Sequence, residues 1–361
     1  MTQTSLLSPH CGWLVRRLRT PALRWRVRML ASAAVLGLLM LSLVPHLSSS
    51  TELVRMRNAL LVADSQPAQF DWTPANVPAD FFVERGRTDP MFADVVARLG
   101  LMSMASEWDR AIAISRHLLV SSPTLSGGAI DSDLRGTYSA ITGQGKGYCS
   151  DFVQVFMALA ISADVPVRAW AFSFDGFGGH GHTWPEVWNR LAQRWQLIDV
   201  FNNAYFIGPQ GVALSALELR AALQTSPASV RLMPVDAAAR PGWKFERKAW
   251  DNYRRGLPEW YLWWGTNAFS YDRNPLLRSS FGVSPSIQQL AGIAHGVQPR
   301  MRILESPQNR DAVEAIRRLK VHLLLAVALG GVAVFALLAC TLGWWRARGL
   351  AHRRRSRDHG G

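Results

Sequence analysis

The chain has 361 residues, with 40 lysines and arginines against 26 acidic residues, and its formal net charge of +14 first suggests a nucleic-acid partner. The positions of the charges exclude that class of protein. Residues 1–28 contain six arginines and no acid, and residues 346–361 contain six arginines and one acid, so the two ends hold 11 of the 14 excess charges. The sequence between them is nearly balanced, which predicts no basic face for a nucleic acid to follow.

An uncharged apolar run follows the first basic segment directly. It covers residues 29–44, and its sixteen residues are near the lower limit for crossing a hydrocarbon layer about 30 Å thick. A cleaved signal peptide is the alternative, but 28 residues are long for the basic region of one, and no small-x-small cleavage site follows Pro45 cleanly. The pattern favours a basic cytoplasmic tail over residues 1–28 and a transmembrane signal anchor over residues 29–47.

The next segment, residues 48–100, contains four prolines and few periodic apolar runs. It is predicted to be an extended segment packed on the domain, or a linker from the membrane. Residues 106–120 have a helical period and predict a helix ahead of the functional core. No cluster of cysteine and histidine has the spacing of metal ligands, so the sequence predicts neither a metal nor another cofactor.

Cys149 is the one cysteine expected in the central domain, because Cys11 lies in the N-terminal tail and Cys340 in an apolar run near the C-terminus. A lone cysteine is often a small buried hydrophobic residue, but the apolar period from Phe152 onward predicts that a helix begins at Cys149. The N–H groups and the positive dipole end of a helix stabilise a thiolate, which makes Cys149 a candidate nucleophile. Gln144, in the glycine-rich turn before it, is a candidate oxyanion donor, with an exposed loop residue as the alternative.

Downstream of this helix the apolar period changes from 3.6 to 2. Strands are predicted over residues 167–174, 182–188 and 194–200, and the turn 189–193 joins the last two as a hairpin. His182 and Asp199 then lie side by side on neighbouring strands. In that position the carboxylate can orient the imidazole toward Cys149, as a Cys-His-Asp acyl-transfer site requires.

Four residues beside His182 are predicted to have other roles. His180 is a second imidazole, expected to be a loop residue or a substrate contact. Trp184 is a candidate oxyanion or substrate contact, although packing and strand pairing are the stronger expectation for Trp184 and Glu186. Pro185 removes one ladder donor, which predicts an edge strand or a bulge at this point.

At these residues the chain resembles the transglutaminase-like superfamily. The motifs are the Gly-x-Cys that ends at Cys149, the His-x-Trp-x-Glu-Val that begins at His182, and the Trp-x-x-Ile-Asp that ends at Asp199. The resemblance implies a papain-like α+β core over residues 101–210, with the cysteine helix packed on an antiparallel sheet that carries the histidine and the aspartate. It also implies that Cys149 is the nucleophile, His182 the general base and acid, and Asp199 the orienting group.

Residues 211–320 form an extension that is rich in tryptophan. The aromatic residues between 243 and 281 are Trp243, Phe245, Trp250, Tyr253, Trp260, Tyr261, Trp263, Trp264, Phe269, Tyr271 and Phe281. They predict a core that covers the catalytic sheet, a stacking platform for glycan rings, or an interfacial patch against lipid headgroups.

A second apolar run, residues 323–345, predicts a transmembrane helix over residues 321–345, followed by a basic cytoplasmic tail over residues 346–361. Lysine and arginine favour the cytoplasmic side of a membrane. Both termini are therefore predicted in the cytoplasm, and the central domain in the periplasm, outside the inner membrane. Three basic residues between 317 and 320 weaken this asymmetry without reversing it.

The sequence as a whole predicts a membrane-anchored, transglutaminase-like cysteine enzyme of a bacterial type. Its substrate would be an amide bond of a protein or peptide near the outer membrane face, attacked through a thioester and released by hydrolysis or by acyl transfer. Two other functions stay open from the residues alone. One is a non-catalytic envelope module that binds glycan or a partner protein, and the other is an accessory subunit of a membrane assembly for export or biosynthesis.

Overall fold

The structure is a computed structural model that describes residues 21–63, 69–84, 88–120, 127–279 and 285–358. The predictions for residues 1–20 with Cys11, for Phe281 and for residues 359–361 lie outside the described residues, as does the side chain of Tyr271. The chain divides into two compact units. One is Ser49–Lys320, and the other combines Met1–Ser48 with Val321–Gly361.

Helices precede the sheet in the chain. They are α1 (Pro21–Leu43), α2 (Ser50–Leu61), α3 (Pro90–Arg98), α4 (Glu107–Val120), α5 (Leu134–Gln144) and α6 (Cys149–Ser162). The elements that follow are β1 (Val167–Ser173), β2 (Gly181–Asn189), β3 (Arg194–Asp199), β4 (Ala204–Ile207), α7 (Ala216–Thr225), β5 (Arg231–Pro234), α8 (Glu246–Gly256), β6 (Glu259–Trp264), α9 (Phe269–Arg273), α10 (Pro275–Arg278), α11 (Pro285–Ala294), β7 (Arg300–Ile303) and α12 (Arg310–Asp358).

The strands of the described chain form one sheet in the order β5-β4-β3-β2-β1-β6-β7, and every neighbouring pair is antiparallel. The β2–β3 hairpin has the predicted turn, with Asn189 paired to Arg194. The helix α6 begins at Cys149, as the apolar period predicts, and packs on β1 and β2. The predicted α+β fold, a cysteine helix on an antiparallel sheet, is confirmed.

The two faces of the sheet bury different side chains. Along β1, Val167 and Ala169 pack on one face with α3, α4 and α6, and we call this the cysteine-helix face. The alternate residues Trp170 and Phe172 lie on the opposite face with α7 and α8. That face, which we call the tryptophan face, buries Trp72, Trp170, Trp184, Trp188, Trp195, Trp260 and Trp264. The period-2 pattern of strands explains this separation.

The tryptophan-rich extension contributes mainly to the core of the domain. Tyr253, Trp260, Tyr261, Trp264 and Phe269 are buried. Trp243 and Trp250 are half-buried, whereas Phe245 is 58% exposed. These positions agree with a core that covers the sheet rather than with an open stacking platform.

Residues 48–100 differ from the extended segment or linker predicted for them, because α2 and α3 are helices. Both have start signals in the sequence. The Ser49 hydroxyl accepts a hydrogen bond from the Glu52 N–H at 3.3 Å, and the Asp89 carboxylate accepts one from the Met91 N–H at 2.9 Å, with Pro90 in the first turn of α3. The prediction of an extended segment or linker rested on the four prolines, whereas these caps indicate helices.

Pro185 lies in a central strand and not at an edge. It is paired with Ala169 of β1, while the ladder between β2 and β3 begins only at Glu186. The missing N–H of Pro185 therefore falls where β2 has no ladder partner on the β3 side. This explains how the strand tolerates a proline without standing at an edge of the sheet.

Two helical stretches of the described chain are apolar and long enough to cross a membrane, judged by length and composition. They are Leu23–Leu47, which includes most of α1, and Pro307–Gly349, which includes most of α12. Within their unit they are antiparallel neighbours. At one end a side chain on Gly343 would begin 2.6 Å from the ring of Trp25, and at the other Ser42 Oγ lies 3.1 Å from His322 Nε2. Low-numbered residues of the first helix thus meet high-numbered residues of the second.

Candidate active site

Cys149 is the first residue of α6 and is partly exposed. The turn before it is shaped by Gly147, whose φ of +123° is open to glycine and strained for other residues. The backbone N–H of Tyr148 donates to Asp151 Oδ2 at 2.7 Å, which fixes the start of the helix. The thiol therefore stands at the positive end of α6, beside N–H groups that have no acceptor within the helix.

His182 and Asp199 are in direct contact. His182 Nε2 lies 2.7 Å from Asp199 Oδ2, and both side chains are buried. The Cys149 side chain is close enough to the same imidazole to contribute to the rise in its pKa. The structure thus brings together the three residues predicted as nucleophile, base and orienting group, while their catalytic roles stay a prediction.

Asp199 accepts more hydrogen bonds than the one from His182. The Tyr253 hydroxyl donates to Oδ2 at 2.6 Å, and Asn202 Nδ2 donates to the same oxygen at 3.0 Å. The Asn202 backbone N–H donates to Oδ1 at 3.1 Å. Four donors therefore hold one buried carboxylate, and this accounts for how a fully buried charge is stabilised here.

The pKa values of His182 and Asp199 move in the directions that an ion pair between these two residues requires. Burial opposes the protonation of His182, but the charges of Asp199 and Cys149 outweigh it and raise the pKa of the imidazole to about 10. Burial alone would raise the pKa of Asp199, but the contact with His182 and the donors Tyr253 and Asn202 bring it below its usual range. The pKa of Tyr253 is raised well above its usual value by burial and by Asp199, so the hydroxyl stays a donor.

Tyr253 and Asn202 were not predicted as site residues. Tyr253 was one of eleven aromatic residues between 243 and 281, and it lies 54 residues after Asp199 with no motif around it. Asn202 follows Asp199 by three residues, the spacing at which a side chain can close a turn, and that signal was available in the sequence.

Four other residues were predicted at or beside the site, and the structure places each of them in different surroundings. Gln144 is exposed at the last residue of α5. Trp184 is fully buried, its ring centroid 5.3 Å from that of His182, and its indole N–H has no hydrogen-bond partner among the described residues. His180 is exposed in the loop before β2, with Nδ1 3.1 Å from Asp175 Oδ2. Glu186 is buried in an ion pair with Arg168.

The glycine-rich loop that leads to His182 is held from two sides. Asp175 accepts hydrogen bonds from the backbone N–H groups of Gly178 and His180 at 2.9 and 3.0 Å. From α2, Asn58 Nδ2 donates to the Phe177 carbonyl at 2.8 Å, and Arg55 donates to the loop carbonyls. The loop therefore enters β2 in a fixed conformation, which helps to fix the position of His182.

Among the described residues, no group of three or more histidine, cysteine, aspartate or glutamate side chains is arranged to hold a metal ion.

Residues 106–200 match the family model described as Transglutaminase-like superfamily. The match confirms the resemblance drawn from the three motifs, and it contains Cys149, His182 and Asp199. It ends before Asn202 and Tyr253. No curated protein and no solved structure matches the chain.

Proposed function

We propose that this chain, with its transglutaminase-like domain at residues 106–200, is a membrane-anchored cysteine enzyme that attacks amide bonds of proteins or peptides. The observation that carries the proposal is the buried contact of 2.7 Å between His182 and Asp199, on an imidazole whose pKa Cys149 also raises. A thiol beside a base that an orienting carboxylate holds supplies the parts that covalent acyl transfer requires.

The first half of the reaction forms a thioester. With the pKa of His182 at about 10, the imidazole is protonated at neutral pH and faces Cys149 as the partner of a thiolate. The thiolate attacks the amide carbon, and the carbonyl oxygen becomes an oxyanion. His182 then gives its proton to the leaving nitrogen as the C–N bond breaks, so an amine departs and the acyl group remains on Cys149.

The oxyanion needs donors close to the sulfur atom. The backbone N–H of Cys149 is one, because the first N–H groups of a helix have no acceptor within it. Gln144, exposed five residues earlier, is a second donor if its side chain turns toward the substrate.

The second half of the reaction releases the acyl group. Water or an amine attacks the thioester while neutral His182 accepts its proton, and the thiolate leaves with the imidazolium restored. Water gives hydrolysis, and an amine gives a new amide bond. We favour hydrolysis or peptide processing, because the sequence has no motif for a calcium site or a dedicated amine channel.

We further propose that both termini are cytoplasmic and that Ser49–Lys320 lies on the periplasmic side of the inner membrane. In the sequence, arginines lie at the end of each apolar helix that is nearer its chain terminus, and basic residues favour the cytoplasmic side. The antiparallel contacts of the two helices, from Trp25 with Gly343 to Ser42 with His322, support a hairpin with both ends on one side.

Mass spectrometry of acyl adducts on Cys149 tests the enzymatic function. The full chain in a non-ionic detergent is incubated with envelope extract, quenched in acid and digested. We expect a hydroxylamine-sensitive acyl group on the Cys149 peptide of the wild type and none with Cys149→Ser. If no adduct forms while iodoacetamide still labels Cys149, the non-catalytic envelope module becomes the better account.

Reporter fusions test the topology. A reporter fused after residue 361 is expected to be active only in a cytoplasmic assay. Periplasmic activity of that fusion would contradict an arrangement with both ends inside.

A further inference from the structure

We propose that α8 carries a binding surface for the acidic segment of a peptide substrate, beside the active site. This inference rests on the proposed function, since it names the class of peptide that the enzyme takes. The surface, which we call the basic ridge, consists of four residues of α8 and one residue just before it: Arg247, Lys248, Arg254, Arg255 and Lys244. Its ligand is a run of carboxylates in the peptide that enters the site.

The position of α8 places the ridge next to the catalytic pair. The buried side of the helix contains Ala249, Tyr253 and Gly256, and the Tyr253 hydroxyl donates to Asp199. A Cβ at Gly256 would lie 2.1 Å from the ring of Phe172, so only glycine allows this close approach. The ring of Phe172 in turn lies 6.1 Å from that of His182. The helix that exposes the ridge thus covers the histidine and the aspartate directly.

The opposite side of α8 gathers positive charge by its helical period. Lys248 and Arg255 follow one stripe of the helix, Arg247 and Arg254 follow a second, and Lys244 lies two residues before the helix begins; all five side chains are exposed. None of the five has an ion-pair partner in the described part of the chain. The sequence that separates the two basic ends is nearly balanced in charge, and it predicted no basic face. The basic ridge is a local exception to that prediction.

Arg255 is the residue of the ridge that is held in place. Its guanidinium carbon lies 4.1 Å from the ring centroid of Phe174, and the ring of His180 stacks on the same phenylalanine at 6.2 Å with an interplanar angle of 10°. His180 precedes the base His182 by two residues. A guanidinium fixed on an aromatic ring keeps its N–H groups available for a bidentate carboxylate.

The nearest acid in the loop does not neutralise Arg255. Asp175 accepts hydrogen bonds from Ser173 Oγ at 2.7 Å, and from the backbone N–H groups of Gly178 and His180. Its side chain is only 16% exposed. The stack of Arg255, Phe174 and His180 therefore presents an unneutralised cation at the loop that leads to His182.

An acidic peptide suits the ridge better than a membrane surface. Glu246 and Asp251 interrupt the five cations, which favours separate carboxylates over a dense layer of phosphates. The ridge also adjoins the catalytic pair, where the chain on either side of a scissile amide has to pass. Charge complementarity at this place would raise the association rate and select the substrate.

Alkylation of Cys149 by reagents of different charge tests the ridge without a known substrate. The thiolate displaces iodide from iodoacetate or from iodoacetamide, and the two reagents differ by the carboxylate. We expect Arg255→Gln to lower the rate ratio of iodoacetate to iodoacetamide about threefold in the full chain, the size of effect that one exposed cation gives. Arg231→Gln, an exposed arginine on the edge strand β5, is the matched control and should leave the ratio unchanged.

Competition with peptides separates the ligand classes. Hexaglutamate is expected to slow the labelling of Cys149 by iodoacetamide, hexalysine is not, and Arg254→Gln with Arg255→Gln should remove the protection. Protection by phosphatidylglycerol in mixed micelles but not by hexaglutamate would overturn the proposal in favour of a lipid surface. If Arg255→Gln leaves the rate ratio of iodoacetate to iodoacetamide unchanged while iodoacetamide labels Cys149 at the normal rate, the proposed binding surface is contradicted and the proposed function is not. Loss of iodoacetamide labelling in the wild type at neutral pH would instead contradict the proposed thiolate.

Discussion

The two faces of the sheet position the two halves of the candidate site by different means. On the cysteine-helix face, α6 is held by apolar packing, with Phe152, Phe156 and Leu159 fully buried. On the tryptophan face, His182 and Asp199 are held by hydrogen bonds among buried aromatic rings. Apolar packing fixes the place of a helix, whereas hydrogen bonds also fix the orientation of an imidazole.

The tryptophan face also contains a buried ion pair. Arg168 Nε donates to Glu186 Oε2 at 2.6 Å, and both side chains are at most 1% exposed. The same glutamate accepts from Trp170 Nε1 at 2.8 Å and from the Ala216 N–H at 2.6 Å. Glu186 therefore ties the strand of His182 to β1 and to the start of α7.

The residues of the candidate site come from two parts of the chain. Cys149, His182 and Asp199 all lie within residues 106–200, the part that matches the transglutaminase-like family. Tyr253 and the helix α8 that carries it come from the tryptophan-rich extension. A domain cut after residue 200 would thus keep the three motif residues and lose three of the four donors to Asp199, those of Asn202 and Tyr253.

Glu186→Ala is expected to have the largest effect, because it leaves the Arg168 cation buried and unpaired. The free energy of unfolding should fall by about 3–5 kcal/mol, measured from the urea dependence of tryptophan fluorescence of the full chain in detergent. The double variant Arg168→Met with Glu186→Leu removes both charges and is the control. A loss below about 1 kcal/mol in Glu186→Ala would mean that the ion pair is not essential to this face.

Leu159→Ala probes the cysteine-helix face by the same measurement. It removes buried methyl groups from α6, and the free energy of unfolding should fall by about 3 kcal/mol. The labelling rate of Cys149 in the protein that stays folded should not change, because the polar contacts of His182 lie on the other face. A large drop in that rate would show that packing on this face also controls the orientation of the imidazole.

The local parts of the site could be predicted from the sequence. The start of α6 at Cys149 follows from the apolar period of the helix, and the β2–β3 hairpin follows from the period of its strands and the residues of its turn. Each signal lies within a stretch of about 15 residues, where hydrophobic patterning is informative. His182 and Asp199 flank that hairpin, so their contact also followed from local signals.

The parts that depend on distant segments could not be predicted. Tyr253 reaches Asp199 through the packing of α8 on Phe172, and nothing in the spacing indicates that contact. The central position of β2 depends on β1 and β3 together, so Pro185 misleadingly indicated an edge strand. The capping residues of α2 and α3 were present in the sequence, but the four prolines of residues 48–100 indicated an extended segment instead.

Tyr253→Phe is expected to have the smallest effect, and it tests the contribution of the extension to the site. The change removes one hydroxyl donor to Asp199 and keeps the aromatic ring, so the free energy of unfolding should fall by only about 1–2 kcal/mol. Iodoacetamide should label Cys149 about tenfold more slowly at neutral pH, because Asp199 then holds the imidazole less firmly. Tyr205→Phe, a half-buried tyrosine of β4, is the matched control. An unchanged rate in Tyr253→Phe would restrict the extension to a structural role.

The pH dependence of Cys149 alkylation tests the central claim, a thiolate paired with protonated His182. The pKa of His182 is raised to about 10, so the imidazolium should persist up to about that pH, and a neighbouring cation at a helix N-terminus favours a thiolate. An ordinary thiol with a pKa of about 8.5 would react about eightyfold more slowly at pH 6 than at pH 8. We predict rates within about twofold of each other in the wild type, and the steep profile of an ordinary thiol in His182→Ala. A steep profile in the wild type, or equal rates in both proteins at pH 6, would contradict the ion pair.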